Sequence, residues 1–246
     1  MTSSIATVLI WICVAFAPTL AQEVVVDKDE GKPRRLFHSY FSFGGSRKDV
    51  KDLNQGLGNA ELPDISENNI SAGIGMDAVY GRFVHSMGLD VLFWDEGNQG
   101  NLETDLTGFY GRMAFGFDIF SKERFRLYPQ IGLGLGALRL RINSENVGFE
   151  EALTGPSQTS EFWQMGVLLG VSLGGSYTFG IDKRDKNIVL GFRGGYWHDP
   201  SSRSDWFYEY ADVQNGPEAG FSGPYAKLTI GKEISGKNLR RRWNRW

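Results

Sequence analysis

The stretch Phe162–Phe179, FWQMGVLLGVSLGGSYTF, decides the fold of this chain. It carries no charge, and Gly166, Gly170 and Gly174 stand four residues apart. On a helix that would be a membrane span with a glycine packing face. Parity gives another reading. The odd positions are Trp163, Met165, Val167, Leu169, Val171, Leu173, Gly175, Tyr177 and Phe179, almost all large and apolar. The even positions are Phe162, Gln164, Gly166, Leu168, Gly170, Ser172, Gly174, Ser176 and Thr178, mostly small or polar. A helix has no reason to sort residues by parity, whereas a strand with two different faces must. Four is an even number, so the three glycines share one strand face. We expect them to face inward beside Gly132, Gly134 and Gly136, as a bare wall for inward Arg and Tyr side chains.

The same sorting recurs along the chain. Eight segments of strand type are expected: 36–45, 70–84, 88–95, 104–120, 125–141, 162–179, 187–197 and 224–233. In 125–137 the apolar residues are odd (Phe125, Leu127, Ile131, Leu133, Leu135), against Arg126, Tyr128, Gln130, Gly132, Gly134 and Gly136. Beyond Ala137 the phase slips, with Leu138, Leu140 and Ile142 apolar instead, as at a bulge or on emergence from an apolar zone. The connections alternate between tight and long, with turns at 85–87 and 121–124 and long stretches at 46–69, 142–161 and 198–223. That asymmetry and the even strand count are those of an up-and-down membrane barrel. A hidden hairpin in 205–213 would raise the count to ten.

Composition agrees. Of 246 residues 32 are Gly and only 8 are Pro, and the Gly content is roughly twice average usage. A net charge of −3 gives no footprint of a nucleic-acid partner. Residues 1–21 read as a secretory signal peptide, apolar from Ile5 to Phe16 and ending Thr19-Leu20-Ala21. Cys13, the one cysteine, lies inside it, so the mature chain forms no disulfide. We expect a periplasmic segment at 22–35, a barrel at 36–233 and a basic periplasmic tail at 234–246.

Two eight-stranded barrels fit such strands: a soluble one with its apolar face inside, and a membrane one with that face outside. The non-apolar face carries Asp77, Asp90, Arg112, Asp118, Arg126, Arg193, Lys227 and Glu233 among many glycines. Glycine is a poor exterior strand residue, but inside a narrow barrel it makes room for long neighbours. Aromatics such as Phe41, Phe43, Trp163, Tyr177, Phe179 and Tyr196 fall near strand ends, where interfacial girdles form. With RLYPQIGLGLGA at 126–137 and the closing GPYAKLTIGKE at 223–233, the chain resembles the small outer-membrane β-barrel proteins of Gram-negative bacteria, the OmpA/OmpX-like group of porin-like barrels. The resemblance covers about 36–233 and implies an all-β, eight-stranded antiparallel transmembrane barrel in the outer membrane. It departs from the pattern in the basic stretch SGKNLRRRWNRW after the closing strand.

Four groups of residues are candidates for function. Asp77, Asp90 and Asp118 are expected to pair in the lumen with Arg112, Arg193 and Lys227, because unpaired buried charge is costly. Such a network plugs the barrel; an ion path is the alternative. Some barrels of this size are lipid A-modifying enzymes, and the deacylases among them use Ser, His and an acid. Here His38-Ser39 and His85-Ser86 split across opposite faces if extended, which disfavours that chemistry. The loop aromatics Trp206, Phe207, Tyr208 and Tyr210 are candidates for a binding surface, or for a loop packed over the mouth. Glu145, Glu150 and Glu151 make one loop acidic, without a diagnostic metal spacing. The tail's Lys237, Arg240, Arg241, Arg242 and Arg245 suit an anionic leaflet. No cofactor, metal or nucleotide motif is present. The expected partners are outer-membrane lipid or lipopolysaccharide and an extracellular ligand at the loops. The expected state is a monomer and the expected role is non-enzymatic, structural or in surface interaction.

Overall fold

The computed structural model describes residues 35–99, 102–122, 124–144, 159–180, 187–201, 205–208, 211–213 and 216–235. The expected signal peptide and periplasmic segment (1–34), Glu145, Glu150, Glu151, Tyr210 and the residues from 236 lie outside the described residues. The strands are β1 (Arg35–Arg47), β2 (Asn68–Tyr80), β3 (Phe83–Trp94), β4 (Gly97–Gln99), β5 (Leu102–Phe117), β6 (Phe120–Lys122), β7 (Phe125–Ser144), β8 (Thr159–Gly180), β9 (Asn187–His198), β10 (Trp206–Tyr208), β11 (Ala211–Val213) and β12 (Gly223–Ser235), with one helix, α1 (Lys51–Asn59).

Eight of these strands close on themselves. Each pairs antiparallel with the next in the order β1, β2, β3, β5, β7, β8, β9, β12. The ring closes through β12 and β1, from Leu36↔Ser235 to Ser46↔Tyr225. Closure leaves no open sheet edge in the barrel wall, which is the condition for spanning hydrocarbon with strands.

Parity places the side chains as the pattern dictates. On β8, Met165, Val167, Leu169, Val171 and Leu173 are exposed, while Gln164, Leu168 and Ser176 are buried. Phe41 is 69% exposed, Ile131 68% and Leu228 70%. A broad apolar exterior around a lumen that holds the buried charges is the inverse of a soluble barrel, and water is not its solvent.

Three details differ from the sequence expectation. The first tight turn is Gly81-Arg82 rather than 85–87: Tyr80 pairs directly with Phe83, and Gly81 takes φ 62°, which suits glycine. His85 and Ser86 lie within β3. Second, β7 does not slip. Its pairing with β5 runs unbroken from Gly116↔Gln130 to Leu102↔Ser144. Leu138 and Leu140 are apolar because the inner face itself turns apolar there, while Arg139 and Arg141 continue the outer row. Of the two explanations offered by the pattern, emergence from the apolar zone holds and the bulge does not. Third, the 205–213 hairpin exists as β10 and β11, yet it adds no stave to the barrel. It pairs with β8 at Phe162, Trp163 and Gln164, above the point where β9 ends at His198↔Leu169. The barrel remains eight-stranded.

Candidate functional site

The lumen is filled by two layers of different chemistry. The lower layer is ionic. Arg112 Nε donates to Asp90 Oδ2 at 3.0 Å, and Lys227 Nζ lies 2.7 Å from Asp90 Oδ1. Arg193 Nη2 lies 3.1 Å from Asp77 Oδ1. Ser42 donates to Asp90, and Lys227 donates to the Tyr110 hydroxyl at 2.7 Å. The Tyr40 hydroxyl sits between the two guanidiniums and accepts from Arg112 Nη2 and Arg193 Nη1, each at 3.1 Å. Arg193 and Gln130 both donate to Ser86. All five charged side chains are buried. Burial makes each charge expensive alone, so the carboxylates and cations hold one another in place.

The structure brings Asp77, Asp90, Arg112, Arg193 and Lys227 together. Asp118 is a correction. It lies past the end of β5 near the turn end, where its backbone N–H donates to Arg82. Its side chain is buried, but one carboxylate oxygen has no hydrogen-bond partner. Tyr40 was missed. The signal was present in the pairing: Tyr40 faces Gly75 on one side and Gly231 on the other. The same rule holds for Arg112, flanked by Gly88 and Gly134, and for Trp197, flanked by Gly170 and Gly223. Large inward side chains lie over glycines of adjacent strands. The glycine wall of β7 and β8 is occupied mainly by rings: Trp197 over Gly170, Tyr128 over Gly174 and Phe221 over Gly136. Tyr was expected there, as was Arg, which Arg112 supplies beside Gly134; Trp and Phe join them.

The upper layer is apolar and comes largely from loops folded inward. Val50 and the α1 residues Leu53 and Leu57, one helical turn apart, pack with Ile65, Leu92, Leu106, Leu138, Leu168, Trp197, Trp206, Ala219 and Phe221. Asn54 clips its loop by bonding both the N–H and the carbonyl of Ile65. Lys48, buried in this layer, donates to the Phe221 carbonyl at 2.7 Å. Asp199 accepts the Phe221 N–H at 3.3 Å. Burial, aided by the positive charge of Lys227 and opposed by Asp199, brings the Lys48 ammonium down to about 7.

The loop aromatics divide. Trp206 is only 2% exposed, and its indole N–H donates to the Pro217 carbonyl. It is a core residue of the mouth and no binding surface. Phe207 is 41% exposed, and Tyr208 is half-buried against Phe162. Neither His-Ser sequence pair brings its two side chains to one face. His38 faces inward and bonds Glu233 at 3.1 Å, while Ser39 is exposed on the other face. His85 stacks on Phe115 outside the barrel, while Ser86 is buried within. Among the described residues no group of His, Cys, Asp and Glu is placed to hold a metal.

The chain is similar to solved structures at low identity. Neisserial surface protein A (NspA) matches at 13% identity over 81% of this chain and 96% of its own, with TM-score 0.44. Ail, the attachment invasion locus protein of Yersinia pestis, matches at 12% identity over 82% and 99%, with TM-score 0.44. Likeness at this level carries no argument, and the barrel stands on its own strand pairing. No protein-family model and no curated protein matches the chain.

Proposed function

We propose that this protein is a sealed, monomeric outer-membrane barrel, exported by its signal peptide, that acts through its loop-end surface rather than by conducting solutes or catalysing a reaction. The observation that carries the reading is the double closure of the lumen. Any solute would have to displace the Asp77–Arg193 and Arg112–Asp90–Lys227 pairs and then the apolar layer under α1.

What is left to face the outside supports a surface role. β7 and β8 run 20 and 22 residues against 12 for β9, so one side of the barrel stands above the rim. Its outer face carries Arg139, which pairs with Glu161 and lies over the Trp163 ring, with exposed Phe207 beside it on β10. Lipopolysaccharide around the rim and a ligand at these strands are the partners this surface suits. Planar-bilayer recording of the refolded protein tests the sealed lumen: the expected result is a silent membrane, and discrete, reproducible unit conductances would overturn it.

A further inference from the structure

At the turn end of the barrel a small polar pocket opens between Arg124, Arg126, Thr178, Asn187, Glu233 and Leu36. The Arg126 Nη1 group is buried and has no hydrogen-bond partner. A buried guanidinium N–H left unpaired is costly, and such a group in a pocket marks a place for an acceptor. Glu233, the one carboxylate among the described lining residues, feels the Arg126 charge but makes no hydrogen bond to this N–H. Glu233 is bonded through one oxygen to His38 Nε2 at 3.1 Å and accepts from Asn187 Nδ2 at 2.9 Å with the other. Arg124 is exposed at the rim. Lys122 and Lys232 are exposed at the same end, and Glu233 only partly offsets these cations. The pocket measures about 220 Å3, below the range of pockets that bury a drug-sized molecule. It has room for a small tetrahedral or planar anionic group.

We propose that this pocket is an anion site that takes a phosphate group, with Arg124 and the unpaired N–H of Arg126 as its donors. Two arginines in the lining of one small polar pocket can supply the paired donors that match phosphate oxygens. The phosphate can come from an anionic phospholipid headgroup of the periplasmic leaflet or from the free ion, and the chemistry of recognition is the same.

The test is amide NMR of the protein refolded in a phosphate-free amine-oxide detergent, titrated with inorganic phosphate at constant ionic strength. Thr178, Gly180 and Asn187 should shift and saturate in the millimolar range. Arg124→Gln and Arg126→Gln should each weaken binding about tenfold or more, the loss of one charge-assisted hydrogen bond. Arg126→Lys, which keeps the charge, should retain part of it, and heat-modifiable gel mobility reports that each variant is folded. Nanodiscs with and without phosphatidylglycerol separate the sources. Shifts without added phosphate assign the site to a headgroup, and shifts only on adding phosphate assign it to the free ion. Shifts that do not saturate, or glutamine variants that titrate like the parent, overturn the site.

Discussion

Substituting alanine at Gly170 adds one methyl group to a tight place in the lumen, against a buried ring. The new Cβ would lie 2.3 Å from Trp197 Cε3, 2.6 Å from Cζ3 and 2.9 Å from Cδ2. Carbon atoms in good contact sit about 3.5–4.0 Å apart, so the indole has to move by more than about 1 Å. It has little freedom to do so. Trp197 is buried, stacked on Tyr225 at 5.9 Å and edge-on to Tyr110 at 6.1 Å, with Gly132 behind its far edge. Overpacking of this kind costs about 1–3 kcal/mol, offset by up to about 1 kcal/mol because alanine restricts the unfolded chain more than glycine does. The net expectation is a loss of about 1–2 kcal/mol, or roughly a tenfold fall in the folding equilibrium constant. Gly194→Ala is the control. Its Cβ would meet only the Tyr225 carbonyl oxygen at 3.7 Å, an ordinary contact, so it should be neutral or stabilising. The assay is urea-induced unfolding from lipid vesicles, followed by tryptophan fluorescence and gel mobility. In a Trp197→Leu background the Gly170→Ala penalty should largely vanish, giving a measurable coupling between the two positions. Equal stability of the Gly170→Ala and Gly194→Ala proteins, or a penalty that persists without the indole, would refute the inward wall. A glycine helix-packing motif would instead show itself as lost oligomerisation.

Other perturbations probe the two lumen layers. Asp90→Asn leaves Arg112 and Lys227 without their shared carboxylate and should destabilise by about 3–5 kcal/mol in the same urea assay, whereas Glu161→Gln, in a half-exposed pair, should change little. Trp206→Ala removes a buried ring from the mouth and should open the loop to protease by creating a cavity; Phe207→Ala, at an exposed site, should leave its cleavage rate unchanged. Lys48 makes loop docking depend on pH. Its pKa is about 7 when docked against an ordinary 10.5, so between those values the docked state binds fewer protons. Docking therefore strengthens as pH rises through that window and is weakest below about 7, where the ammonium is charged in both states. Fluorine NMR of fluorotryptophan-labelled protein should show the Trp206 signal sharpening from mildly acidic to alkaline pH, and Lys48→Met should abolish the change.

The sequence by itself determined the wall. Alternation along a strand is local, so the lipid and lumen faces of 162–179, 125–137 and 109–119 could be read without knowing any neighbour. The inward position of five of the six expected lumen charges followed from the same parity. Registry and closure were not local. Tyr40 became the hydroxyl between two guanidiniums only when β1 came to lie between Gly75 and Gly231. Asp118 has the parity of a lumen residue, but it falls beyond the end of β5, and only the pairing shows where a strand ends. His85-Ser86 looked like a turn because both are polar. In the barrel one ring lies on Phe115 and the other side chain joins the ionic layer. The mouth was the least legible part. Leu138 and Leu140 keep the inward parity of β7 but are apolar, and Trp206 is buried, because their surroundings are supplied in part by α1 and by the 216–222 segment folding inward. A residue's parity tells which way it points. What it meets there depends on chain segments far away in sequence, and only the tertiary structure decides that.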